Sequence, residues 1–173
     1  QYFTDRRSEP ELSYRYHDLF RECLLNRAQS ELDQPARAAL HLHAAQLLLG
    51  SGDAERAIEL LCRGGHFVEA QRAIIERAPA LLGQGQWKTL LEAIERLPER
   101  QISTSAPLLY WRGMAHIADD PAAARADLER ALQLNQQADD AIGQLSAIIA
   151  ILAAHFVQDN SLAQYARWID PMA

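Results

Sequence analysis

Pro121-Ala-Ala-Ala-Arg-Ala-Asp-Leu-Glu-Arg-Ala-Leu-Gln-Leu-Asn135 is the stretch that decides the fold. It follows Asp119-Asp120, so it opens with an N-cap and a proline at the first helical position. Ala124, Leu128 and Ala131 then recur at helical spacing. A small residue where two helices cross, with a larger one a turn later, is what close packing of a helix pair needs. Ala57 and Leu61 carry the same pattern in the segment 53–63.

Outward from this stretch the chain reads as helix from His17 onward. His17 to about Gln29 places Leu19, Phe20, Cys23, Leu24 and Leu25 at helical spacing. Pro35 opens Ala36–Leu49, and Gly50-Ser51-Gly52-Asp53 ends that helix and caps Asp53–Arg63. Gly64-Gly65 stops the latter. His66–Leu82 carries a stripe of Phe67, Ala70, Ile74 and Ala78, and Pro79 inside it should kink or shorten it. Gln86–Leu97 stops at Pro98. Ser105 and Pro107 start a helix to about Ala118, and Ala122 to about Gln136 follows. Ala138–Gln158 is long and apolar on one side, and Asp159-Asn160-Ser161 caps a final helix, Leu162–Ile169.

Short polar turns make such helices antiparallel neighbours. Ala36–Leu49 pairs with Asp53–Arg63, His66–Leu82 with Gln86–Leu97, and Pro107–Ala118 with Ala122–Gln136. Successive pairs start about 30 to 40 residues apart, the range of tetratricopeptide-like repeats. The expected fold is all-α, a right-handed superhelix of antiparallel helix pairs, with a plain helical bundle as the competing architecture. Ahead of it, Gln1-Tyr2-Phe3-Thr4 and Leu12–Tyr16 are β-prone around a polar loop containing Pro10, the pattern of a short N-terminal hairpin.

Composition agrees. The 173 residues are 49% hydrophobic and 23% charged, enough to bury a core. The net charge of −6, with arginines dispersed among acids, makes a poor polyanion binder. Two cysteines, Cys23 and Cys62, lie in different segments without a CxxC, so a reducing, cytoplasmic setting is expected. No apolar run is long enough to span a bilayer, and no signal peptide is visible. Residue 1 is Gln rather than Met, and Asp170-Pro171-Met172-Ala173 closes the sequence just after a helix start; we read the chain as a piece of a longer protein.

Catalytic and cofactor patterns are missing. There is no GxxxxGK[ST], and no GxGxxG after a strand. Gly50-Ser-Gly-Asp53 and Gly83-Gln-Gly85 are explained by turns. His41 and His43 are two apart, which points them about 200° apart on a helix, unlike the i, i+4 pair of a zinc helix. Cys62 and His66 are separated by Gly64-Gly65, and Cys62 reads as a small packed hydrophobe. No catalytic residue, cofactor or metal is therefore expected in this chain. One cluster stands out: Tyr110, Trp111, Arg112 and His116 on one helix, which cannot all face the core with Leu108, Leu109 and Ala115. Curved helical arrays bind partners on the concave face. The expected effector or partner site is Tyr110, Arg112 and His116 facing Gln144 and His155, the competing reading being that these side chains pack and pair within the array.

The residues also resemble a known family. Tyr14-Arg-Tyr-His-Asp-Leu-Phe-Arg-Glu-Cys-Leu24 resembles the strand-to-helix segment that ends the winged-helix domain of large MalT-type, ATP-dependent bacterial transcription regulators. Phe3-Thr-Asp-Arg-Arg7 looks like the other strand of that wing. Leu42–Ile58, Phe67–Gln71, Ala80–Leu90, Leu97-Pro98, Leu108–Gly113, Asp120–Arg125 and Trp168-Ile169 follow that family's helical-repeat region in order. The resemblance implies a winged-helix remnant over 1–30 and tetratricopeptide-like repeats over 31–173. It implies a non-enzymatic sensor and protein-interaction segment, receiving a protein or small-molecule effector and passing the signal to DNA-binding output. ATP and DNA would be bound by other parts of the parent chain, the latter through a domain of LuxR or another type. Open strand edges at the remnant would leave it prone to self-association. A free-standing repeat scaffold for peptides of partner proteins is the alternative function.

Overall fold

In the computed structural model, residues 4–8 and 12–159 are described. Two short strands, β1 (Thr4–Ser8) and β2 (Leu12–Tyr16), pair antiparallel in the register Thr4 with Tyr16 through Ser8 with Leu12. The remaining described elements are all helices: α1 Asp18–Glu31, α2 Gln34–Gly50, α3 Ala54–Arg63, α4 Phe67–Gly83, α5 Trp87–Glu95, α6 Glu99–Ser103, α7 Ala106–His116, α8 Pro121–Gln137 and α9 Ala141–Asp159.

The helix starts are set by local chemistry. Asp33, Asp53, Ser105 and Asp120 each accept a hydrogen bond from the backbone N–H three residues on, satisfying a donor with no partner inside the helix. Asp140 does the same for Gly143 ahead of α9, at 3.0 Å. The stops share one device as well. Gly52, Gly65, Gly85 and Asp139 sit at positive φ, and the next residue's N–H returns to a carbonyl in the last helical turn: Asp53 to Leu48, His66 to Leu61, Gln86 to Leu81 and Asp140 to Asn135, at 2.8–2.9 Å. Asp139 fills, with a side chain, the position that glycine takes elsewhere.

Packing follows chain order. α2 lies on α3, α3 on α4, α4 on α5, α5 on α7, α7 on α8 and α8 on α9. The main core runs from Ala45 through Ala57, Leu61, Ala70, Ile74, Leu90, Ile94, Ile102 and Leu108 to Ala131. A second cluster of Ala124, Leu128, Ala150 and Ala154 joins α8 to α9. Ala124, Leu128 and Ala131 are fully buried, as their spacing demanded. Gly113 explains how closely α7 approaches α8. A Cβ there would come within 2.7 Å of Leu128 Cγ and 3.0 Å of the Ala124 carbonyl oxygen.

Several elements differ from the sequence expectation. The first strand of the hairpin occupies Thr4–Ser8, most of it in the stretch read as polar loop, rather than ending at Thr4. Pro79 does not shorten α4, which runs on to Gly83. Pro79 is exposed, so its ring stands off the packed face formed by Ala70, Ala73, Ile74 and Ala78. α9 begins at Ala141 rather than Ala138, because the left-handed Asp139 places Ala138 in the turn. The short helix α6 was not foreseen; it follows Pro98 for five residues and buries Ile102. The expected helix Leu162–Ile169 lies outside the described residues.

Candidate functional site

The five residues singled out in the sequence do not converge on one cleft. Arg112 donates from Nε and Nη2 to both carboxylate oxygens of Asp127 on α8, each at 2.7 Å, and from Nη1 to Glu99 on α6 at 3.3 Å. Arg112 and Asp127 are largely buried, with side chains 18% and 14% exposed. The hydrogen bonds from Arg112 to Asp127 push the guanidinium further up from its ordinary range, against the cost of burial. Gln144 donates to the Asn135 carbonyl on α8 at 3.4 Å. His155 is exposed, and its Nδ1 lies 3.3 Å from Arg125 Nη1, again on α8. Tyr110 is half-buried against both core clusters, its ring meeting Trp111 edge-on at 5.0 Å. His116 is half-buried, its Nδ1 without a hydrogen-bond partner among the described residues and 3.7 Å from Asp119.

The physical reason is the position of α8. It packs on both α7 and α9, and the polar side chains Arg112, Gln144 and His155 find their partners on it, although α7 and α9 also touch each other directly. Arg112, Gln144 and His155 therefore join helices within the molecule. The expected alignment of Tyr110, Arg112 and His116 against Gln144 and His155 is replaced by three separate links to α8.

Open grooves lie elsewhere. One of about 210 Å³ is formed by α2 and α4: Leu42 and Gln46 face Glu69, Arg72 and Glu76, over a floor that includes Leu61. Residues 69, 72 and 76 are spaced i, i+3, i+7, so one helix face carries all three charges. Among the described residues none of these three is joined in an ion pair. Sequence reading passed over this triplet, although its spacing was the available signal. Between α3, α4 and α5 a second groove is lined by Glu55, Arg77, Thr89, Glu92 and Arg96. A third, at α1 and α2, combines Leu25, Ala28 and Leu40 with Arg37, His41 and Arg63.

The histidines and cysteines form no reactive set. His66 Nε2 lies 2.8 Å from the Ala38 carbonyl, and a Cβ on Gly64 would collide with His66 and His41, so these groups seat the end of α3 on α2. Burial pushes the Cys62 thiol up from its ordinary value of 9.0 and so keeps it protonated near neutrality, with Arg96 acting weakly in the opposite direction. Among the described residues no group of three or more His, Cys, Asp or Glu is placed to hold a metal ion. No helix there is long and apolar enough to cross a membrane. The chain matches no family model, no curated protein and no solved structure.

Proposed function

We propose that this chain is a non-enzymatic interaction segment, a tetratricopeptide-like array of helix pairs from a MalT-type transcription regulator, and that it docks a protein segment in the α2–α4 groove. The observation that carries the reading is the groove's composition. Apolar walls from Leu42 and Leu49 flank the charges Glu69, Arg72 and Glu76, which have no ion-pair partner among the described residues. Free charges amid apolar walls fix the orientation of a bound segment, while the apolar surface supplies affinity. A docked segment would place a basic residue against Glu69 or Glu76 and an acidic one against Arg72. In this reading β1, β2 and α1 are the remnant of the preceding winged-helix domain, and the setting is cytoplasmic.

The test has two parts. The parent reading frame should encode a phosphate-binding GxxxxGK[ST] loop upstream and a DNA-binding domain downstream. In that full-length protein, Arg72→Glu and Glu76→Arg should each reduce effector-dependent transcription by about tenfold, the size of one lost charge pair at an interface, with helical content unchanged. A full response in both variants, or a frame lacking both domains, sinks the proposal.

A further inference from the structure

Helix α9 is apolar on two opposite faces. Ala147, Ala150 and Ala154 are buried, the latter two in the cluster shared with α8. On the other side, Ile142, Leu145, Ile149, Leu152 and Phe156 are between 59% and 80% exposed. Ile148 and Val157 extend this surface on its two flanks. Together these side chains expose on the order of 700 Å², more than the largest apolar patch of an ordinary monomer and close to what one partner brings to a specific interface.

The spacing and the chemistry of this face point to its occupant. Steps of 3, 4, 3 and 4 residues draw the five side chains into one straight stripe, with Ala147 centred opposite. In heptad terms Ile142, Ile149 and Phe156 take the a positions, and Leu145 and Leu152 the d positions. Isoleucine at a with leucine at d is the combination that favours two strands over three or four. The positions beside the seam are Ser146 and Ala153 on one side and Ile148 and His155 on the other, and from Ala141 to Val157 the sequence has no Asp, Glu, Lys or Arg. An unlike partner helix is selected through charges at those flanking positions, and an anionic lipid surface through Lys and Arg. Neither signal is present in α9. A second copy needs no such code, because a stripe that is apolar from end to end is complementary to itself across a two-fold axis.

We propose that α9 is a self-docking surface, through which two copies of this chain pair along Ile142, Leu145, Ile149, Leu152 and Phe156. The opposite face of the helix is already packed on α8, so each copy carries its own array on the outer side of the pair. No residue of the α2–α4 groove belongs to the stripe, and the assignment is independent of that groove and of any effector.

Sedimentation equilibrium on the full chain tests it. An apolar seam at the small end of specific interfaces should dissociate at about 1–100 μM. The mass should therefore climb from the 19.4 kDa of one chain towards twice that value, and stop there, as the concentration rises to about 300 μM. With no charges at the seam to screen, raising NaCl from about 0.05 to about 0.5 M should not weaken the pair. Leu152→Glu should leave a single chain at every concentration with helical content unchanged, because Leu152 is 63% exposed. Ile142→Glu, at the most exposed position of the stripe, should weaken association by about tenfold, and it decides the matter if Leu152→Glu loses helix. Val68→Glu, the same kind of change at an exposed residue of α4, should pair as the unsubstituted chain does. A single-chain mass throughout the range overturns the proposal, as does pairing that survives both α9 substitutions. A mass that climbs past two chains overturns the two-fold pair. Equal loss in Val68→Glu, or weakening of about tenfold by salt, would place the contact elsewhere and overturn it as well.

Discussion

At the scale of single residues, Arg112 carries the largest consequence. Its guanidinium is held bidentate by Asp127 and reached by Glu99, in a partly desolvated position between α7, α8 and α6. Removing one member of a buried pair leaves the other charge uncompensated, a larger loss than the pair's own net worth. We predict that Arg112→Ala destabilises the chain by about 2–4 kcal/mol in urea unfolding, allowing for partial solvent access. Arg112→Lys should recover only part of this, because an ammonium cannot reproduce the two parallel hydrogen bonds. Equal stability of Arg112→Ala and the unsubstituted chain would reduce the pair to a surface contact. Gly113, the next residue, acts by shape. With a methyl group 2.7 Å from Leu128 Cγ, Gly113→Ala should cost about 1–3 kcal/mol by overpacking, despite the better helix propensity of alanine. A stabilised Gly113→Ala would mean that α7 and α8 separate freely.

At the scale of elements, the sequence was most legible where a backbone group needs a particular partner. Asp53, Ser105 and Asp120 were visible as starts because a short polar side chain before an apolar stripe has few other uses, whereas α2 was read from Pro35 and its cap Asp33 was passed over. The buried faces of α3 and α8 followed from Ala57, Leu61, Ala124, Leu128 and Ala131. The candidate site was far less legible. Periodicity tells which face of α7 turns away from the core, but not which helix then covers that face. Arg112 thus read as available while Asp127 was already opposite it. The double apolar face of α9 was likewise read as one side, since alanines and leucines interleave along it. Pro79 shows a third limit: the rule that proline ends helices holds only where packing does not keep the chain helical. α4 loses the hydrogen bond that residue 79 would donate to the Ile75 carbonyl and still runs on to Gly83. Pro79→Ala restores that donor on an exposed face. We predict a gain of about 1–2 kcal/mol, below the full proline penalty because the unfolded chain also gains freedom. Thermal unfolding reads it directly, and a lower melting temperature would show that the proline is matched to a bend in α4.

At the scale of the whole molecule, the order of packing governs how the fold can come apart. Each helix rests mainly on its neighbours along the chain, and among the described residues α9 is tied to the rest through a small buried cluster shared with α8 and flanked by Tyr110 and Met114 of α7. In such an arrangement stability is close to a sum of local terms and nearest-neighbour terms, and one end can open while the other stays closed. Leu61 offers a clean probe. It is 1% exposed on α3, at the α2 end of the main core. Leu61→Ala should cost about 2–5 kcal/mol through lost burial and the cavity left behind. We predict that this loss is spent locally: amide exchange should accelerate in α2, α3 and the start of α4, and remain nearly unchanged in α7 and α8 under native conditions. The converse variant, Leu128→Ala on α8, should accelerate exchange in α7, α8 and α9 and spare α3. If either substitution instead accelerates every helix by the same factor, the chain unfolds as one cooperative body. The continuous core from Ala45 to Ala131 would then outweigh the sequential packing that separates its two ends.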